Sequence, residues 1–414
     1  MDGMAGAFFR ENPKTINKHH LLDLVRFTSE GISRAELARK LNLSRSAVTS
    51  IVNDLIQAGI LREARFLPIA TGRRPVDLEV NPSLGYVIGV DLGVTHLSLV
   101  LSDCSASVVH EIEVPFDLSI GPEASLQKTH AWVSKLLEQA GVSMDQILTV
   151  GVGVPGPVVT ERGEVIAPPV MPGWDDYPIR DELEDRWSCP VSLNNDAELG
   201  ALGEWAYGAG RDDSNVIYIK VGTGIGAGLL LDNRIYRGAT GTAGEIGHLT
   251  VQDQGPLCTC GNRGCLEALA GGRAIAQNAR RAVASGHRTQ LAEIKPVEKI
   301  TAKSVTLAAR RGDLTSQQIL SDAGTYIGTA IAGSMNLLNP GIVIVGGGVS
   351  QAGDLILEPL RKAARERSLK AASTGVRITA AVLGRRSTSM GAVVQALNYI
   401  LHHHIENRTV QALN

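Results

Sequence analysis

The sequence predicts a winged helix-turn-helix of α+β type followed by a larger α/β body in two lobes. Three observations carry this expectation. Residues 1–82 run helix, turn, helix, and then two apolar-rich runs around a polar TGRRP turn. Farther on, YVIGVDLGVTHLSLVLSD and NVIYIKVGTGIGAGLLLDNRIYRG share one plan of strand, Gly-rich turn and strand, which reads as an internal duplication into halves that face each other across a cleft. Finally, the 414 residues are 44% hydrophobic and only 4% aromatic, enough to fill two or three largely aliphatic cores.

The first element is a helix from Thr15 to about Ser29, with Ile16, Leu21, Leu22, Leu24, Val25 and Phe27 as its apolar positions, after an arm, Met1 to Lys14, without periodicity. Gly31 breaks it. Ser33 with Glu36 forms a capping box for a short helix, Arg34 to Leu41. Asn42 and Leu43 make a tight turn, and Ser44 caps a third helix, Arg45 to Ala58, closed by Gly59. On that helix Arg45, Ser46, Thr49, Ser50 and Asn53 face outward, while Ala47, Val48, Ile51, Val52 and Leu55 face inward. An exposed first turn of small polar residues plus arginine suits the major groove of DNA. Arg73 and Arg74 at the tip of the wing suit a minor groove. Charge agrees. Residues 1–82 hold 12 Lys+Arg against 9 Asp+Glu, a balance of +3, and the remainder holds 28 against 33, a balance of −5, for −2 overall. No signal peptide and no membrane-length apolar run are seen, so a cytoplasmic protein with reduced thiols and no membrane partner is expected.

Domain boundaries are expected at 1–82, 83–200 and 201–414, with the C-terminal helix returning to the first lobe. In both Gly-rich hairpins the backbone N–H groups can cradle phosphate, and Asp91 can hold Mg²⁺. A third cluster, Gly346, Gly347 and Gly348, follows the strand IVIV and precedes a helix, a setting for a nucleotide. Between the hairpins, VGVGVPGPV ends in a Pro-Gly-Pro loop. VSLNNDAELGALGEWAYGA passes from a strand through Asn194 and Asn195 into a helix near Asp196. Spacing alone assigns Asp196 to the helix cap, with a general base aimed into the cleft as the alternative.

The stretch GEIGHLTVQDQGPLCTCGNRGCLE, Gly244 to Glu267, carries the most specific chemistry. Cys258, Cys260 and Cys265 fall within eight positions, and His248 lies ten residues before the first of them. Three thiolates and an imidazole make a closed, structural Zn²⁺ site. The second nitrogen of His248 would then be free for a hydrogen bond. Glu245 and Glu267 beside it suit a polyol, whose hydroxyls both donate and accept.

VGTGIGAGL, eight residues, Gly238 and then GEIGH resemble the signature of the ROK family of repressors, open reading frames and sugar kinases. CTCGNRGCLE resembles the family's zinc motif, PGP and NND stand in their family places, and the winged helix with TGRRP resembles the repressor branch. The resemblance covers nearly the whole chain and implies an actin-like, ribonuclease-H-like α/β fold of two lobes. It implies a sugar site of Asn195, Asp196, Glu245, His248 and Glu267 with the Gly156 loop, and zinc on His248, Cys258, Cys260 and Cys265. It matches the phosphate loops to Asp91, Gly93, Thr95, Thr223, Gly224 and Gly226. In family kinases the residue matching Asp196 is the base that deprotonates the sugar hydroxyl. Several family repressors have eroded the first phosphate loop, whereas DLGVT here is intact, which keeps ATP and Mg²⁺ among the expected ligands. The expectation is a sugar-responsive regulator, a repressor acting as a homodimer or dimer-based tetramer on operator DNA. Ser44, Arg45, Ser46, Thr49, Ser50, Arg73 and Arg74 form its DNA contact. The alternative is an ATP-dependent sugar kinase with a fused DNA-binding domain.

Overall fold

The structure is a computed structural model, and it describes residues 13–28, 31–64, 77–160, 162–166 and 171–411. The wing tip with Arg73 and Arg74, and most of the N-terminal arm, lie outside the described residues.

The N-terminal domain contains helix α1 (Pro13–Phe27), strand β1 (Ile32–Ser33), α2 (Arg34–Leu41), α3 (Arg45–Gln57), β2 (Leu61–Glu63) and β3 (Asp77–Val80). α1 begins two residues before the expected Thr15, because Pro13 suits a first helical turn, where no N–H partner is needed. The capping box is present. Glu36 N donates to Ser33 Oγ (3.3 Å), and Ser33 N donates back to Glu36 Oε2 (3.0 Å). Asn42 takes the left-handed conformation (φ 54°) that lets α2 end and the chain turn sharply into α3. Ser44 Oγ then accepts from Ala47 N (3.1 Å), which starts α3. Arg45, Ser46, Thr49, Ser50 and Asn53 are exposed, and Val48, Ile51, Val52 and Leu55 are buried. Ala47, expected inside, is half-buried. The three strands form an antiparallel sheet in the order β1-β3-β2.

The body continues with β4 (Tyr86–Leu92), β5 (His96–Asp103), β6 (Val108–Pro115), α4 (Pro122–Ala140), β7 (Ile147–Val154), a small hairpin β8 (Val158–Val159) and β9 (Glu164–Val165), α5 (Ile179–Trp187), β10 (Val191–Asn195) and α6 (Asp196–Tyr207). It ends with β11 (Val216–Val221), β12 (Ile225–Leu231), β13 (Arg234–Ile235), α7 (Leu266–Ala270), α8 (Gly272–Ala284), α9 (Ala302–Arg310), α10 (Leu314–Leu338), β14 (Ile342–Gly346), α11 (Asp354–Arg367), α12 (Lys370–Ser373), β15 (Arg377–Ala380) and α13 (Ser387–Gln411). Two five-stranded sheets result, ordered β10-β7-β4-β5-β6 and β13-β12-β11-β14-β15. In each, the first strand pairs antiparallel with the next and parallel with a later one. β4 and β14 are buried almost throughout, which explains the apolar runs YVIGV and IVIV.

α6 and α13 lie together against the two sheets. α6 and the first part of α13 are buried on most of their surface, as helices enclosed by protein are. They cross at glycines. A Cβ on Gly391 would stand 1.7 Å from the carbonyl oxygen of Leu199, and one on Gly203 would stand 2.2 Å from that of Ser387. The expected division between residues 200 and 201 therefore falls inside a continuous helix. The start of α13 is anchored by buried Glu204, whose carboxylate accepts from Leu383 N (2.8 Å), Val382 N (3.0 Å) and Ser387 Oγ (2.8 Å). Farther along, Leu397, Ile400 and Leu401 of α13 share one core with Leu21, Leu22 and Val25 of α1. Arg26 donates to Asn398 there, and the rings of His19 and His402 stack at 4.2 Å. Among the described residues, no helix is long and apolar enough to cross a membrane.

Candidate functional site

The segment after β13 folds back on β12. Ala227 N donates to Gly244 O (2.9 Å), and a Cβ on Gly244 (φ +100°) would stand 2.1 Å from Ala227 O, so the chain can approach only as glycine. This close return sets Glu245 and His248 on a short turn facing the cleft. Beyond it Cys258, Cys260 and Cys265 come round to His248. One ligand atom from each of the four lies within 4.8 Å of all the others. Cys260 Sγ and Cys265 Sγ are 3.7 Å apart, far beyond a disulfide, and His248 Nδ1 is 3.7 Å from Cys258 Sγ. Tetrahedral zinc with ordinary Zn–S and Zn–N bonds would set these separations at roughly 3.6–3.8 Å. The donor set fits such an ion. The free nitrogen, Nε2, points to Glu245 Oε2 at 3.8 Å, so the imidazole has a metal-facing side and a cleft-facing side.

Asn195 and Asp196 enter the cleft from the end of β10. Spacing assigned the helix cap to Asp196, and the structure corrects this. α6 already begins at Asp196, one residue too early for Asp196 to cap it, so the cap falls to Asn195. Asn195 Oδ1 accepts from Ala197 N (2.8 Å) and Glu198 N (3.1 Å). Asn195 Nδ2 donates to Gly156 O (2.9 Å), which ties the Pro-Gly-Pro loop to the helix start. The carboxylate of Asp196 is thus free of the cap and turns into the cleft. Glu267, at the start of α7, accepts from Ile225 N through Oε2 (3.0 Å), and the same oxygen would stand 2.1 Å from a Cβ on Gly224. It braces the second Gly-rich turn and joins that turn to the pocket wall.

Two residues that sequence reasoning passed over complete the centre. Lys220 Nζ lies 2.9 Å from Asp196 Oδ2, 3.3 Å from both oxygens of Asp91 and 3.0 Å from Thr388 Oγ1. His96 Nε2 lies 3.1 Å from Asp91 Oδ2, and its ring covers Gly93 so closely that a Cβ there would stand 2.3 Å from His96 Cε1. The signals were available. Lys220 is the one charge in VIYIKV, and His96 directly follows DLGVT. Burial pushes the Asp91 carboxyl upward, but Lys220 and His96 outweigh it and hold the group down at about 2. Burial also raises Asp196, with Lys220 opposing and Asp91 adding. Lys220 itself is raised, because Asp196 and Asp91 outweigh its burial. Glu245 is raised by burial, against His248 and with Glu267 and Asp196 adding. Several negative groups therefore converge here.

Of the remaining expected positions, Thr95, Thr223 and Gly226 sit in or beside the two turns. Gly346 closes β14, and Gly347 and Gly348 follow it, with open space beside Gly348. Ser44 and Ser46 share a hydrogen bond (3.0 Å) at the exposed start of α3, about which Arg45 is free to extend.

A model described as "ROK family" matches residues 87–398, and one described as "Winged helix-turn-helix DNA-binding" matches residues 29–62. The xylose repressor of Caldicellulosiruptor bescii is 32% identical over 388 residues, 94% of this chain and 97% of its own. The N-acetylglucosamine repressor of Escherichia coli O157:H7 is 28% identical, with 91% and 92% covered. Among solved structures, a ROK family transcriptional regulator described as a homologue of the E. coli MLC protein superposes with TM-score 0.78 at 26% identity, covering 95% of this chain and 97% of that one. A ROK family glucokinase from Streptomyces griseus, in complex with glucose and AMPPNP, superposes with TM-score 0.68 at 32% identity, covering 75% and 99%.

Proposed function

We propose, from the premise that this chain belongs to the ROK family, that it is a sugar-responsive DNA-binding transcriptional regulator, a repressor released from its operator by a bound monosaccharide. One observation carries the reading. α13 begins in the cleft, where Thr388 Oγ1 meets Lys220 and donates to Asp196 O (3.0 Å), and it runs on to share a core with α1 of the winged helix. Whatever moves the start of α13 therefore reaches the DNA-binding domain through a single element. A sugar that binds one arrangement of the lobes better shifts the population toward it, and the operator reads the shift.

Glu245, Glu267, Asn195 and Asp196, with the Gly156 loop, take the sugar hydroxyls, and His248 presents Nε2 to them. Zn²⁺ is the ion that His248, Cys258, Cys260 and Cys265 fit. Its place is structural, because four protein donors leave no open position. Operator contact falls to the exposed start of α3 and to Arg73 and Arg74. The regulator works as a homodimer or dimer-based assembly, since one recognition helix offers too little specificity and paired helices need half-sites one helical turn or a multiple apart.

A second reading, an ATP-dependent sugar kinase, is favoured by the freedom of Asp196 from the helix cap and by the likeness to a glucokinase. The test of the regulator is operator binding followed by fluorescence anisotropy against a panel of pentoses and hexoses. One sugar should release the wild type. Glu245→Ala should need at least about tenfold more of it, since an unmet buried polar group costs roughly 1–3 kcal/mol. Release of Glu245→Ala at the wild-type sugar concentration would overturn the pocket.

A further inference from the structure

We propose that Lys220 is a built-in counter-ion that stands in for a divalent cation between Asp91 and Asp196, so that the cleft receives sugar without Mg²⁺-bound ATP. The inference rests on the reading above, which gives Asp91 the phosphate-loop place and Asp196 the place of the base.

A lysine ammonium has three N–H groups. Lys220 has three partners within 3.3 Å: Asp196, Asp91 and Thr388. No donor is left for a phosphoryl oxygen. Lys220 therefore does not act as a phosphate-gripping lysine in this arrangement.

The acceptors are spent as well. Asp91 is buried, Oδ1 and Oδ2 both meet Lys220, and Oδ2 also meets His96. Mg²⁺ demands oxygens at about 2.0–2.1 Å in octahedral array and keeps several waters. An ammonium 2.9–3.3 Å from these same carboxylates fills the position that such an ion and its water would need. Two cations in one nearly buried site would also repel at short range.

The phosphate cradle is filled too. The turn after β4 keeps the residues DLGVT, but its Gly93 face is covered by the ring of His96. A ring occupies what would otherwise be open backbone. The loop is intact by letter and closed by the residue that follows it. Lys220 also holds the lobes together, because it joins β11 of one sheet to β4 of the other and to the starts of α6 and α13.

The probe is Mn²⁺ alone, titrated into zinc-loaded full-length protein and followed by electron paramagnetic resonance. Wild type should bind no Mn²⁺ that Asp91→Asn removes. Lys220→Ala vacates the ammonium and leaves two facing carboxylates, so it should gain about one Mn²⁺ per chain, which the double variant Asp91→Asn/Lys220→Ala loses. Mg²⁺ should raise the melting temperature of Lys220→Ala and leave that of wild type in place. An Asp91-dependent Mn²⁺ on the wild type would overturn the proposal without any variant. A folded Lys220→Ala that binds none would overturn it as well. If Lys220→Ala fails to fold, Lys220→Gln, which keeps most of the volume, carries the same two outcomes. Operator binding and its release by sugar are measured on the same wild-type preparation. Loss of that response would sink the regulator reading and leave the Mn²⁺ result standing.

Discussion

Asp91 and Lys220 occupy the same place in two copies of one sheet. Asp91 is the penultimate residue of β4 and pairs with Gly153 on the parallel strand β7. Lys220 is the penultimate residue of β11 and pairs with Gly346 on the parallel strand β14. The two side chains meet 3.3 Å apart. Like charges at these places would call for a cation between them, whereas opposite charges make a latch. The lobes differ a second time in the connection that follows their third strand. In the first lobe it covers residues 116–121 before α4. In the second it covers 236–265 before α7, and that excursion holds the pocket wall and the four-donor loop. Duplication thus supplied two matching frames. Their functional contrast comes from one charge and one inserted loop.

The largest expected effect would test whether the inserted loop supports only its own lobe. Cys265→Ser removes a buried donor of the metal loop. Bound zinc should fall from about one equivalent to none, and stability should drop by more than about 5 kcal/mol, as loss of a structural metal does. Hydrogen exchange should rise around residues 244–270 and on β11 and β12, while β7 of the other lobe stays protected. Equal loss of protection in both lobes would make them one cooperative unit and end the contrast.

Next in size is the latch. Lys220→Met leaves two carboxylates, one buried and one half-buried, without their cation, at a cost of roughly 3–5 kcal/mol. Adding Asp91→Asn removes one of the stranded charges and should return more than half of the loss. Urea denaturation measures both. A double variant no more stable than the single would mean that the ammonium matters for packing alone.

Much of this was legible in the sequence, for reasons that differ between elements. The winged helix was readable because caps are local: Ser33 with Glu36, Asn42 and Ser44 each act within four residues. The four-donor cluster was readable because cysteine and histidine are rare and stand close together here. The cap at Asn195 was missed by one position, since strand and helix meet there without a break and only register decides which residue is last in the strand. Lys220 stood out as the one charge in an apolar strand, but its partners could not be read. Its partners Asp91 and Thr388 lie 129 and 168 residues away, and a lysine inside an apolar strand carries no mark of what it will meet. The second duty of Glu267, bracing the turn at Gly224, is hidden in the same way, because the contact crosses 42 residues.

The smallest effect separates the two acids that share Lys220. Asp91 is held at about 2 in the folded protein, because Lys220 and His96 outweigh burial, against about 3.9 for an unperturbed aspartate. A folded value below the unfolded one stabilises above the unfolded value, and that contribution is lost as pH falls through about 4 toward 2. The gap between these values corresponds to about 2–3 kcal/mol. Asp196 shifts the other way, raised by burial despite Lys220. Its ionisation works against folding as pH rises, so it cannot produce a loss on the acid side. Urea midpoints between pH 2 and 6 for wild type, Asp91→Asn and Asp196→Asn should therefore show the acid limb flattened in Asp91→Asn alone. A metal held by the four-donor loop would also be released in acid, as its ligands protonate, but that loss is common to all three proteins and drops out of the differences. An acid limb unchanged in Asp91→Asn would mean that the first lobe's acid gains nothing from the second lobe's amine. The matched positions would then be a relic of duplication and not a latch.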